Sequence, residues 1–297
     1  MANRIKVIAS DLDGTLLNSE HKISTGDRMA LEQAVKNGIR FIVSTGRSYL
    51  DAKKVLKNCT FDMDYVVASG SEVHDKDGRL LKKVYMDQSN FPEIYEVINK
   101  YPVAVRFCSN TGDYMIGTED EVKNYMIQEF RQFFKNQTEE EMLDNPEFRH
   151  RMDNLHCIDH VNELRTGNVG VYKIFIFSYD KGMLAKLNRE LSRFHNIVSA
   201  SSFPTNIELT HVEAQKGIAL EEYITSLGYK MNEVMVLGDS LNDYSMMSRK
   251  FGATVAMENA MDEIKEVAKY QTKSNDENGV AYAVNLMMSG RLDEIRN

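Results

Sequence analysis

The chain has 297 residues, enough for one large or two ordinary domains, and 42% of them are hydrophobic, which supplies a core and excludes a disordered chain. Its net charge of -8 and pI near 5.5 speak against nucleic acid as a partner. No apolar run has membrane-spanning length, Asp11 interrupts the first apolar stretch too early for a secretion signal, and Cys59, Cys108 and Cys157 are too widely spaced for a disulfide framework or zinc knuckle; a cytoplasmic protein with no membrane partner is expected.

Residues 5–9 are apolar and rich in β-branched side chains, which predicts a buried strand ending at Ser10. Asp11 and Asp13 stand just beyond it. In a continuing strand they would point to opposite faces, but Gly14 permits a sharp turn that brings both to one site. Open α/β sheets place their ligands at such strand ends. Ser24-Thr25 cap a helix bearing Met29, Leu31, Ala34 and Val35, with Gly38 as its stop. Residues 39–43 predict a second buried strand, followed by Ser44-Thr45-Gly46-Arg47 and a helix over about 49–57. A hydroxyl, a glycine and a helix amino terminus after a strand can cradle phosphate, although an ordinary helix cap has the same composition. Residues 65–68 form a third strand, and Ser69-Gly70-Ser71 precedes a hairpin turn at 75–78.

From about Val84 to His211 the pattern changes. Phe91, Ile94, Tyr95 and Ile98 predict a helix, and residues 103–107 and 114–117 two strands. Phe130, Phe133 and Phe134 share a helical face, while residues 139–154 read as a charged, solvated helix or loop. Residues 171–177 predict a strand, Leu184, Leu187, Leu191 and Phe194 a helix, and residues 198–201 and 207–210 two strands that close a hairpin or pair elsewhere in the sheet. Helix-strand-strand thus occurs near both ends of the segment, as in an inserted α+β domain on an antiparallel sheet. His156, Cys157 and His160 lack a second ligand pair at zinc spacing, and His156 and His160 could share a helical face without binding anything. The glycosylation patterns at Asn58 and Asn136 read as chance.

Lys216-Gly217 opens a helix bearing Ala219, Leu220, Tyr223, Ile224 and Leu227, stopped by Gly228. Residues 233–237 form a buried strand ending in Gly238-Asp239-Ser240-Leu241-Asn242-Asp243. A helix over 264–268 follows.

Asp11-Leu12-Asp13-Gly14-Thr15, Thr45-Gly46-Arg47, Lys216-Gly217 and Gly238-Asp239-Ser240-Leu241-Asn242-Asp243 occur in this order, at strand ends or a helix start. They resemble the four motifs of the haloacid dehalogenase-like (HAD) phosphatases, and the insertion between the second and third resembles the C2B cap of the Cof-type phosphatases. The resemblance implies an α/β fold: a three-layer, Rossmann-like parallel core over 1–83 and 212–297, with an inserted α+β cap over 84–211. It implies that Asp11 attacks phosphorus to form an aspartyl-phosphate and that Asp13 is the general acid and base. Phosphate contacts are implied at Leu12, Thr45 (with Ser44 as the alternative), Gly46, Lys216 and Asn242. Asp11, Asp13, Asp239 and Asp243 are the implied ligands of Mg²⁺. Where the subfamily often has Asn-Gly-Ala this chain has Ser69-Gly70-Ser71, so a substrate contact from Ser69 is not carried over.

The chemistry of the residues agrees with this reading. A carboxylate is a competent nucleophile toward phosphorus, and the departing alkoxide needs an acid beside it. Four carboxylates and a phosphate repel one another by several kcal/mol at a few Å, which calls for cations. Mg²⁺ suits all-oxygen ligands, and Lys216 adds a positive charge. The expected function is Mg²⁺-dependent hydrolysis of a small phosphorylated metabolite, a sugar phosphate first, a nucleotide-like or pyridoxal phosphate after it. A sugar phosphomutase and a non-catalytic sensor of phosphorylated metabolites are the alternatives. The insertion contains none of the implied catalytic residues and is expected to govern substrate choice.

Overall fold

The structure is a computed structural model that describes residues 5–132, 134, 137–166 and 168–297. Phe133 and Asn136 lie outside the described residues. The chain divides into two units: one runs to Val84 and resumes at Glu213, and the other is Tyr85–Val212.

The first stretch supplies β1 (Val7–Ser10), α1 (Thr25–Lys36), β2 (Arg40–Ser44), α2 (Tyr49–Val55), β3 (Asp64–Val67), β4 (Glu72–His74) and β5 (Leu80–Lys83). The insertion supplies α3 (Phe91–Ile98), β6 (Ala104–Ser109), β7 (Gly112–Ile116), α4 (Glu119–Arg131), α5 (Glu139–Asp144), α6 (Pro146–Asp153), β8 (Leu155–Ile158), β9 (Val171–Phe177), α7 (Lys181–Leu191), β10 (Ile197–Ala200) and β11 (Asn206–His211). The chain returns with α8 (Lys216–Ser226), β12 (Val234–Gly238), α9 (Tyr244–Met247), β13 (Ala253–Ala256), α10 (Asp262–Val267), β14 (Tyr270–Gln271) and α11 (Gly279–Met288).

In the first unit, the eight strands run β14-β13-β12-β1-β2-β3-β4-β5. Pairing is parallel from β14 to β3, and β4 and β5 add an antiparallel edge. β1, β3, β12 and β13 are buried at every position, which explains their continuous apolar runs: both faces of a parallel sheet are covered. β1 lies between β12 and β2, with Ser10 level with Leu237 and Val43. The carboxyl ends of these three central strands therefore meet at one edge of the sheet, and Asp11, Thr45 and Asp239 follow directly. Ser24 caps α1 by accepting the Asp27 N–H at 2.9 Å, and the buried Asp27 carboxylate accepts the Ala281 N–H at 2.7 Å, tying α1 to α11. Met29 does not join the buried face of Ala30, Leu31 and Ala34. It lies two residues before Leu31, about 200° round the helix, and is exposed.

The six strands of the second unit run β10-β11-β9-β6-β7-β8. The pairs are antiparallel, as the sequence suggested, except β7 with β8, which adds a parallel strand not predicted from sequence. One face packs Phe107, Ile174, Ile176, Ile207 and Leu209 against α3 and α7. Other buried positions carry ion pairs, Arg106 with Glu129 at 2.9 Å and Lys173 with Glu208 at 3.1 Å. The charged stretch 139–154 is two helices with a break at Asn145. Asn145 accepts the Glu147 N–H and Pro146 starts α6, and Met142 and Phe148 turn inward. His156 lies on strand β8, so it does not share a helical face with His160. No described helix is long and apolar enough to cross a membrane.

Candidate active site

The site is assembled at the carboxyl ends of β1, β2 and β12. Past β1 the chain turns at Gly14, where φ is +80° and a Cβ would stand 2.4 Å from Oδ2 of Asp239. Glycine here permits both the turn and the approach of a carboxylate from β12. Thr15 Oγ1 donates to Asp239 Oδ1 at 2.8 Å, and Asn259 Nδ2 donates to the Gly14 carbonyl at 2.7 Å. After β12, a turn over Leu241–Asp243 folds Asp243 back onto Gly238, where a Cβ would lie 2.7 Å from the Asp243 carboxyl carbon. Asp243 Oδ2 accepts the N–H groups of Asp239 and Ser240 at 3.0 and 3.2 Å. Lys216, the first residue of α8, is fully buried and donates through Nζ to Asp11 Oδ1 and Asp243 Oδ1, each at 2.7 Å. Asn242 Oδ1 lies 3.4 Å from the same ammonium and accepts from Ser240 Oγ at 2.8 Å.

Three carboxylates thus converge. Asp11, Asp239 and Asp243 each offer an oxygen within 4.8 Å of the others. Burial pushes the Asp11 pKa up to about 7; Lys216 opposes this and the neighbouring Asp243 and Asp13 add to it. Burial, then Asp11 and Asp243, raise Asp239 well above the carboxylate range. Burial works against the charge on Lys216, but Asp11 and Asp243 outweigh it and hold the ammonium protonated. Among the described residues no hydrogen bond engages Asp11 Oδ2 or Asp239 Oδ2. Hard oxygen donors that resist holding their charge alone are the donor set a divalent cation fits.

Asp13 stands apart from this trio. Its carboxylate is gripped by Arg47, Nε donating to Oδ2 at 2.7 Å and Nη2 to Oδ1 at 2.6 Å, and His21 Nδ1 lies 3.7 Å from Oδ1. Burial alone would raise the Asp13 pKa, but Arg47 and His21 outweigh it and hold the carboxyl well below its usual range. Asp13 is therefore a charged group aimed at a guanidinium, and its side chain is not among the three gathered carboxylates.

A family model for haloacid dehalogenase-like hydrolases matches residues 8–284. The chain belongs to this family. It is 33% identical, over 97% of its length and 99% of the relative's, to the 5-amino-6-(5-phospho-D-ribitylamino)uracil phosphatase YwtE of Bacillus subtilis. Phosphatase YwpJ of the same organism is 30% identical over 94% of this chain and 98% of its own. A solved haloacid dehalogenase-like hydrolase from B. subtilis superposes with a TM-score of 0.81 at 30% identity, covering 95% of this chain and 99% of that one. The protein is a HAD-like phosphatase.

In this HAD-like phosphatase the remaining residues singled out from sequence sit around the same strand ends. Thr45 is buried, and its Oγ1 accepts the Arg47 N–H at 3.2 Å. Ser44 Oγ, one residue earlier, is buried with no hydrogen-bond partner among the described residues. Leu12 is fully buried, and its carbonyl accepts the N–H groups of Thr15 and Leu17 at 3.2 and 2.8 Å. Gly46 lies between Thr45 and Arg47. Sequence reasoning missed Arg47, His21, Thr15 and Asn259. Arg47 and Thr15 lie inside the motifs themselves, so a cation two residues after the Thr45 hydroxyl was the signal available.

Proposed function

We propose that this HAD-like phosphatase catalyses Mg²⁺-dependent hydrolysis of a small phosphate monoester through a phosphorylated Asp11. The observation that carries this reading is the buried Lys216, held between Asp11 and Asp243 at 2.7 Å from each, with Asp239 beside them. Asp11 Oδ2 attacks phosphorus while the bond to the ester oxygen breaks, and Asp13 gives that oxygen its proton. Water then attacks the aspartyl-phosphate, Asp13 takes a proton from it, and the bond between phosphorus and Asp11 breaks to release orthophosphate. Arg47 keeps Asp13 ionised in the free protein, which is the form the second half-reaction needs. A phosphoryl group arriving beside Asp13 adds negative charge and favours the protonated form that the first half-reaction needs. Lys216 and the Thr45 hydroxyl hold phosphoryl oxygens, with the backbone at Leu12 and Gly46 and the Asn242 amide beside them. Mg²⁺, held by Asp11 and Asp239 with Asp243 behind them, would offset the charge of the phosphate and of the carboxylates.

For the substrate we propose a primary phosphate on a sugar or sugar-alcohol chain. The relative at 33% identity is named for a ribityl phosphate, which supports this class. The unit Tyr85–Val212 carries none of the proposed catalytic residues and is assigned the role of a substrate-selecting cap. A panel of phosphorylated sugars, sugar alcohols, nucleotides and pyridoxal phosphate, incubated with Mg²⁺, tests the proposal. Free orthophosphate from the sugar and sugar-alcohol members is expected. An isomerised sugar phosphate without orthophosphate would make the enzyme a mutase, and binding without turnover across the panel would make it a sensor.

A further inference from the structure

Three consecutive residues between β3 and β4 have positive φ: Ala68 at 49°, Ser69 at 58° and Gly70 at 97°. All three are buried. Glycine adopts this region freely, but alanine and serine do not, and they stay there only when the surroundings over-determine the backbone. Here the surroundings are the backbone at Thr45, Arg47, Gln215 and Lys216. The Ala68 N–H donates to the Arg47 carbonyl at 2.8 Å and the Ser69 N–H to the Thr45 carbonyl at 3.0 Å, so the loop grips the chain on both sides of Gly46. On its other side, Gly70 lies directly on the start of α8. A Cβ there would stand 2.5 Å from the Gln215 carbonyl carbon and 2.8 Å from the Lys216 nitrogen.

We propose that loop 68–70 is a positioning device that sets Thr45 and Lys216 at a fixed spacing, with Ser69 as its positioning residue. This rests on the reading of Thr45 and Lys216 as the groups that hold the phosphoryl oxygens. If Ser69 relaxed to negative φ, its N–H would leave the Thr45 carbonyl and Gly70 would lose its seat on Gln215. Thr45 and Lys216 would then lose their common reference. The Ser69 N–H bonds Thr45, while the contact with Arg47, which holds the acid Asp13, is made by Ala68, so a change at Ser69 is expected to fall on the phosphoryl grip equally for every leaving group.

The test compares Ser69→Thr, which keeps the hydroxyl and penalises positive φ by branching at Cβ, with Ser69→Ala, which removes the hydroxyl without branching. Measured are kcat/KM on an alkyl and an aryl phosphate, inhibition by orthovanadate as a mimic of five-coordinate phosphorus, and Tm. Ser69→Thr is expected to lose about tenfold more than Ser69→Ala in kcat/KM and in orthovanadate affinity, equally on both substrates. If Ser69→Thr does not fold, Ser69→Gly replaces it as the opposite case: glycine takes positive φ without cost, so it is expected to keep orthovanadate affinity within about twofold of wild type, with Tm unchanged or raised. Equal losses in the Thr and Ala variants, a loss confined to the alkyl phosphate, wild-type orthovanadate affinity in the Thr variant, or a loss of about tenfold in the replacement Gly variant overturns the proposal. Thr45→Ala and Lys216→Ala, measured alongside, separate the two levels. If they keep orthovanadate affinity, the reading of those residues fails; if they lose it while Ser69→Thr does not, only the role of the loop fails.

Discussion

Arg47 holds Asp13 by both carboxylate oxygens, at 2.7 and 2.6 Å, from a loop thirty-four residues further along the chain. The pair joins the turn after β1 to the turn after β2, and it keeps the Asp13 pKa low against the effect of burial. A carboxyl whose folded pKa is depressed adds stability above its unfolded value, near 4, and that stability is lost as pH falls toward the folded value. Arg47→Met should therefore be less stable than wild type at pH 7, by about 1 kcal/mol once solvent screening of this partly exposed pair is allowed for. The deficit should shrink below about pH 4. Urea unfolding of both proteins across this range measures it, and a deficit independent of pH would show that the lost stability is packing rather than charge.

The converging carboxylates have the opposite sign. Asp11, pushed up to about 7, and Asp239, also raised, bind protons in the folded protein that the unfolded chain has already released above about pH 4. Metal-free protein should lose stability from these groups as pH rises between about 4 and 7. A divalent cation competes with those protons, so stabilisation by Mg²⁺ should be larger at pH 8 than at pH 5. At a hundred times its Kd the ion should add about 2.7 kcal/mol. Thermal unfolding after chelation, with and without added Mg²⁺, gives the comparison. Equal shifts at the two pH values, or a shift that survives in Asp239→Asn undiminished, would remove the trio as the ion's site.

Gly14→Ala should separate the metal site from the fold. The new methyl would enter a backbone at φ +80° and stand 2.4 Å from Asp239 Oδ2. The backbone cost is about 1–2 kcal/mol, and the displaced carboxylate should weaken Mg²⁺ binding about tenfold to a hundredfold. Calorimetric titration of the folded variant with Mg²⁺ reads the second quantity directly. An unaltered titration would mean that Asp239 is not a ligand.

The α/β fold was legible because buried parallel strands write themselves as short apolar runs, and the charged residues after β1 and β12 mark where those runs end. Asp11, Lys216, Asp239 and Asp243 could be singled out from their own neighbours along the chain, and the structure gathers them. Asp13 could be singled out too, but not its partner: nothing near Arg47 in sequence says that its guanidinium crosses to the turn after β1. β8 was missed because its central His156 and Cys157 are exposed, so Leu155–Ile158 lacks the burial that makes a strand readable. The left-handed backbone at Ala68 and Ser69 was equally hidden, since neither residue type prefers that conformation and packing against Thr45, Arg47 and Gln215 enforces it.

Asp11 and Asp13 should fail in different ways, and one experiment shows both. Asp11→Asn removes the proposed nucleophile, so no phosphoenzyme should form on any substrate. Asp13→Asn keeps the proposed nucleophile and loses the proposed acid and base. Cleavage of an alkyl phosphate should fall about a hundredfold to ten-thousandfold, while a nitrophenyl phosphate, whose leaving group needs little protonation, should still phosphorylate the enzyme. Water would then lack its base and the phosphoenzyme should accumulate. Rapid-quench analysis of Asp13→Asn with the nitrophenyl substrate and Mg²⁺ should give a burst stoichiometric with enzyme, the phosphoryl group recovered on Asp11 by mass spectrometry, and no burst in Asp11→Asn. A burst in Asp11→Asn with none in Asp13→Asn would exchange the two roles, and a phosphoryl group recovered on any other residue would contradict nucleophilic attack by Asp11.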